Sequence, residues 1–221
     1  TLTSSATLVV ARTCWSFNGW ATQADGGGTS YTNAQTGVIL TAPTTLYAKW
    51  TGASCQITFA AGTNGSGTMA NQTFTAGTAA NITANTFTNT NACYAFSGWS
   101  TTGAAGAVVY TNSQSVTLTT TTALTAIWAP ATNGCVLTFN PGSGSGATYT
   151  QNFTSGTAFN LTAMVAQFTA PSSCYTFNGW ATTNGGSKAY SDQASVTLST
   201  TTTLYAVWAA TSNGCTVTFK A

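Results

Sequence analysis

The 221 residues include no histidine and no glutamate, and the only carboxylates are Asp25 and Asp192. Those absences bear first on chemistry. A carboxylate pair or a Ser-His-Asp set cannot be assembled from two lone aspartates in different parts of the chain. The chain is therefore expected not to be an enzyme. Six cysteines about 40 residues apart form no CxxC pair and have no histidine to join them, so neither a metal nor a cofactor is expected. Cations are almost as scarce. Arg12, Lys49, Lys188 and Lys220 are dispersed and leave a net charge of +2. Nucleic acids and anionic membranes call for clustered Lys and Arg, so neither is an expected partner. No apolar run approaches the roughly 20 residues that span a bilayer, so no membrane insertion of this segment is expected. No charged-then-apolar signal opens the string, as expected of a mature product or an excised segment.

Hydroxyls and amides take the place of charge. Threonine alone supplies 50 residues, and with 43% of the chain apolar a packed core is within reach. The cysteines sit in two phrases, each written three times. "CWSFNGW" begins at Cys14, "CYAFSGW" at Cys93 and "CYTFNGW" at Cys174; "CQITF" begins at Cys55, "CVLTF" at Cys135 and "CTVTF" at Cys215. With Trp20, Trp99 and Trp180, and with Trp50, Trp128 and Trp208, they mark a period of about 80 residues. Complete modules are expected at 55–134 and 135–214. Residues 1–54 correspond to the latter part of a module, and residues 215–221 to the first strand of a following one.

Inside a module the pattern is that of strands. "CVLTF" alternates, with Cys135, Leu137 and Phe139 on one face. "TLYAVW" does the same, with Leu204, Ala206 and Trp208 together. The copies place Leu46/Ala48/Trp50 and Leu124/Ala126/Trp128 on that face, whereas the other admits Lys49, so the Leu-Ala-Trp face is expected to be the core. Glycine-rich pieces such as "NPGSGSG" (140–146) and "TTNGGSK" (182–188) read as turns. Only "NLTAMVAQF" (160–168) carries a helical signal, of a turn or two.

The stretch "YTFNGWATTNGGSKAYSDQASVTLSTTTTLYAVW" (175–208) resembles the Listeria–Bacteroides repeat, the family that includes the internalin B-repeat. Both modules at 55–134 and 135–214 resemble it over their length, and 1–54 over its latter part. The resemblance implies a mainly β fold of small β-grasp-like modules strung in an elongated array. It also implies an extracellular place at a bacterial surface, as stalk or adhesive segment. The departures are Cys14, Cys93 and Cys174, where relatives usually have glycine before the aromatic, and the near absence of charge.

An even number of cysteines in a chain of secreted character points to disulfides. Two pairings are open. Bonds within modules would join Cys55–Cys93 and Cys135–Cys174; bonds between modules would join Cys14–Cys55, Cys93–Cys135 and Cys174–Cys215. In the fold that the resemblance implies, the Y-x-F-x-G-W strand starts at the end where the last strand finishes, beside the next module's first cysteine. A disulfide needs Cα atoms within about 7 Å, and the implied fold favours the set between modules. Such bonds would turn beads on a string into a rod.

Aromatic residues invite a second, glycan-binding function. Phe177, Trp180 and Trp208 are expected in the core, leaving Tyr31, Tyr110 and Tyr190 as candidate contacts for a surface glycan. The expected partners are otherwise further modules of the same array or copies of the chain, head to tail. In the second case Thr216, Val217, Thr218 and Phe219 would be donated as a strand to the incomplete first module of the next copy.

With two carboxylates, no histidine and oxidised cysteines, almost nothing titrates between about pH 3 and 9, and stability depends on pH only where the folded and unfolded states bind different numbers of protons. The thermal midpoint, followed by circular dichroism, is expected to differ by less than about 10 °C between pH 7 and pH 4. A larger fall would contradict the inventory.

Overall fold

The computed structural model describes residue 2 and residues 11–212, 215 and 218–220. It is mainly β, with one set of strands for each copy of the repeat. The first copy holds β1 (Trp15–Ala21), β2 (Ser30–Tyr31) and β3 (Tyr47–Gly52). The second holds β4 (Ser54–Ala60), β5 (Gly65–Ser66), β6 (Gln72–Thr75), β7 (Ala79–Asn81), β8 (Thr88–Asn89), β9 (Tyr94–Ser100), β10 (Ser115–Thr117) and β11 (Thr122–Pro130). The third holds β12 (Cys135–Asn140), β13 (Tyr149–Phe153), β14 (Ala158–Asn160), β15 (Tyr175–Ala181), β16 (Ser195–Thr197) and β17 (Thr202–Ala210). The helical signal at 160–168 yields a single 3-10 turn, Val165–Gln167. The chain divides into two compact units, Thr1–Thr88 with Ser97–Ile127, and Asn89–Phe96 with Trp128–Ala221.

The third copy shows how the strings become a sheet. Its strands lie in the order β13-β12-β17-β15. β12 runs parallel to β17, with Leu137 opposite Thr202 and Phe139 opposite Leu204, and antiparallel to β13. β15 runs antiparallel to β17, from Tyr175 opposite Ala210 to Ala181 opposite Tyr205. Period-two alternation then puts Cys135, Leu137, Phe139, Leu204 and Ala206 on one buried face with Trp180, and Phe153, Leu161, Met164 and Phe168 close over it. Trp208 is half-buried at the margin of this cluster. The short ribbon of β14 with β16 brings Val196 to the same core. The second copy repeats the pattern as β6-β4-β11-β9, with β4 parallel to β11. In the first copy the order is β2-β1-β3.

The Gly-Trp signature has a backbone cause. The register between β15 and β17 breaks between Phe177 and Gly179, leaving Asn178 as the extra residue of a bulge. That bulge turns Trp180 into the core, where it is fully buried with its ring 4.8 Å from that of Phe139. Gly179 has φ 137°, and a Cβ there would run into the Tyr190 carbonyl oxygen. Gly19 meets the Tyr31 carbonyl in the same way, and Gly98 that of Tyr110. Glycine is selected three times because the backbone of another segment passes where its side chain would be.

Gly179→Ala is therefore expected to destabilise the oxidised chain by about 2 kcal/mol or more, since it adds a collision to an unfavourable φ. Gly185 also has positive φ, but open space surrounds its missing Cβ. Gly185→Ala is expected to cost only about 1 kcal/mol. Urea unfolding decides between them; equal losses would mean that the close approach at Tyr190 is not what requires glycine.

Candidate functional site

The cysteines lie where one copy of the repeat hands over to the next. Cys14 is bonded to Cys55, Cys93 to Cys135 and Cys174 to Cys215, with Cα separations of 5.2, 4.5 and 4.9 Å. Each bond spans 41 or 42 residues and encloses the last strand of a module, β3, β11 or β17. A loop of that size is worth roughly 3–4 kcal/mol on the chain-entropy model. No cysteine is free.

A backbone bond accompanies each disulfide. The third residue after the terminal Trp donates its amide to the carbonyl of the first cysteine of the pair: Ala53 to Cys14, Ala131 to Cys93 and Thr211 to Cys174, each at 2.8 Å. Cys14 and Cys93 are thus tied through their sulfurs to the start of the next first strand, β4 or β12, and through their carbonyls to the segment leading there. At the second joint Asn133, with φ 55°, donates its amide to Thr154 Oγ1 at 2.9 Å. Gly134 sits so close to the Cys93 carbonyl that a Cβ would lie 3.2 Å from it.

A threonine stands over two of the disulfides. Thr121 Oγ1 lies 3.7 Å from Cys55 Sγ and 3.8 Å from Cys14 Sγ. Its counterpart Thr201 lies 3.9 Å from Cys93 Sγ and accepts the Val136 amide at 3.3 Å. The residue after the first cysteine is aromatic every time. Trp15 donates its indole N–H to the Thr119 carbonyl at 3.0 Å and lies against Gly77, where a Cβ would sit 3.1 Å from the ring. Arg12 lies over both Trp15 and Trp50, 5.4 and 5.3 Å from the ring centroids. Tyr94 packs against the core around Cys93 and Cys135, whereas Tyr175 is exposed.

The chain matches the profile of the Listeria–Bacteroides repeat domain at residues 2–49, 56–127 and 136–207. It belongs to the Listeria–Bacteroides repeat family. Cys55 and Cys135 fall just outside the matched stretches, in the gaps between one Listeria–Bacteroides repeat and the next. No curated protein and no solved structure matches the chain.

Tyr31, Tyr110 and Tyr190 occupy equivalent places, each facing the Gly-Trp tryptophan of its own copy across an antiparallel pair. They are half-buried, and each lies in its own copy of the repeat. Of the donated-strand candidates, Thr216 and Val217 lie outside the described residues; Thr218 and Phe219 are exposed and in no strand. Nothing in the sequence alone identifies Thr121, Thr201 or the aromatics after the cysteines as joint residues. The aromatics were marked by their recurrence, but two threonines among 50 carried no signal. Among the described residues no group of cysteines and acids is arranged to hold a metal, and no helix is long and apolar enough to cross a membrane.

The disulfides differ in burial. Cys93 and Cys135 are fully buried, Cys55 is buried beside a half-buried Cys14, and Cys174 is half-buried beside an exposed Cys215. Thiol–disulfide exchange requires the attacking thiolate to reach a sulfur. Stepwise reduction with trapping and mass spectrometry is expected to open Cys174–Cys215 first and Cys93–Cys135 last. Early opening of Cys93–Cys135 would contradict this burial order.

Proposed function

We propose that the chain is a segment of an extracellular stalk or filament at a bacterial surface. Its modules are β-grasp-like and follow one another in an elongated array, and the disulfides stiffen the joints. The observation that carries this proposal is the position of the bonds: Cys14–Cys55 and Cys93–Cys135 each tie the start of a first strand, β4 or β12, to a cysteine in the preceding copy. Disulfides persist in oxidising, extracytoplasmic surroundings, which supports the extracellular placement. The joint would otherwise be a short, hinge-prone linker such as 131–134. In this role the chain needs no catalytic group or cofactor, and its partners are further modules or copies. A glycan-binding role has less support, because Tyr31, Tyr110 and Tyr190 are half-buried, each packed beside the Gly-Trp tryptophan of its copy.

Small-angle scattering before and after reduction and alkylation tests the proposal. Reduction is expected to broaden the distance distribution as joints begin to hinge. The near-ultraviolet circular dichroism of the buried Trp99 and Trp180 is expected to persist. Unchanged scattering from a fully reduced, still folded chain would show that the bonds do not stiffen the joints. Loss of the aromatic signal together with the bonds would make them staples of the modules.

A further inference from the structure

Asn-Gly occurs six times in the chain, at Asn18, Asn64, Asn133, Asn178, Asn184 and Asn213. Asparagine is one of the thermolabile residues. A following glycine has no Cβ to shield its nitrogen, which leaves that nitrogen open to attack the side-chain amide. The sequence treats the six pairs alike, but the backbone does not. Asn213 lies outside the described residues. At Asn64 and Asn133 φ is 56° and 55°, and the glycine that follows closes the turn. Gly65 donates its amide to the Gly62 carbonyl at 3.2 Å, and Gly134 to that of Ala131 at 3.0 Å. At Asn18 and Asn178 the following glycine is buried in a sheet, against the Tyr31 or Tyr190 carbonyl.

Asn184 differs on each count. It sits one place earlier in its turn, which the Gly186 amide closes on the Thr183 carbonyl at 3.0 Å. Asn184 and Gly185 are then the central pair, and φ of 72° at Gly185 suits the third place of a type II turn. The amide between two central residues takes no part in the hydrogen bond that closes a turn. Gly185 accordingly donates to no acceptor among the described residues, is exposed, and has open space where a Cβ would be. The Asn184 side chain is exposed too, and among the described residues it has no hydrogen-bond partner.

We propose that Asn184 is a site of spontaneous modification, converted to aspartate and isoaspartate through a cyclic imide because its turn leaves the Gly185 nitrogen free. That nitrogen gives its proton to solvent and bonds to Asn184 Cγ, and Nδ2 leaves as ammonia. Water then opens the ring. Hydrolysis at Cγ yields aspartate; hydrolysis at the main-chain carbonyl yields isoaspartate and lengthens the backbone by one carbon. An ammonia leaves and a water enters, so the step requires neither an oxidant nor an enzyme. Each event adds a carboxylate to a chain that has two and takes one unit from its net charge of +2. The new charge appears in a groove that Asn184 lines with Ser143 and Trp208.

The test holds the oxidised 221-residue chain at mildly alkaline pH and samples it over time by acidic peptic digestion and mass spectrometry. Conversion is read as the mass gain of an –NH2 replaced by –OH, and chromatography separates the two products. In the folded chain Asn184 is expected to convert roughly fivefold or more faster than Asn64 and Asn133, where a net hydrogen bond must first be broken. Asn18 and Asn178, whose glycines are buried, are expected to convert last. A second sample is reduced, alkylated and unfolded in guanidinium chloride. There the five pairs are expected to react at similar rates, because the same two residues meet at each without a fold around them. An Asn184 that converts no faster than Asn64 and Asn133 in the folded chain would overturn the proposal. So would a lead at Asn184 that persists unchanged on unfolding, since the turn would then not be its cause.

Discussion

The Cys93 carbonyl accepts the Ala131 amide while its sulfur is bonded to Cys135, and this double tie fixes where the next first strand can begin. β12 starts at the bonded cysteine and must enter its sheet beside β17. Its position then determines which residues of β17 are covered. Leu204 and Ala206 go into the core, and the turn after β12 reaches Trp208. The arrangement is local and repeatable, because everything it requires lies in a cysteine, a short linker and the first five residues of a strand.

A chain with so few charges holds its loops by other means. Gln72 donates to the Asn81 carbonyl and accepts from the amide and hydroxyl of Thr83; Gln151 donates to the Asn160 carbonyl and accepts from the Thr162 amide. Each glutamine brackets the chain around β7 or β14 with neutral hydrogen bonds, which salt screens little. Ser155, which is buried, donates to the Ser199 carbonyl at 2.8 Å. The abundance of threonine has a structural use as well, because the run at 199–203 turns the chain into β17 and sets Thr201 over a disulfide.

Much of the fold was legible in short strings. The alternation in "CVLTF" and "TLYAVW" is a strand pattern with one buried face, and the faces found at Leu137/Phe139 and Leu204/Ala206 follow it. Trp208 is less buried than that pattern implies, because it lies at the end of the strand, where the turn at Pro141–Gly144 covers it only in part. The cysteine partners could not be read from spacing, since bonds within and between modules both close loops of about forty residues. Strand direction, which spacing does not carry, separates the two. The bulge at Asn178 was equally hidden, because the glycine after it answers to the Tyr190 backbone, a contact made by residues remote in the pattern.

The disulfides run from one module to the next. Peptic digestion of unreduced protein, at an acidity that prevents thiol exchange, tests this connectivity most directly by mass spectrometry. A linked fragment pair containing Cys93 and Cys135 is expected, and another containing Cys174 and Cys215. A linked pair containing Cys135 and Cys174 would place the bonds within modules and contradict that connectivity.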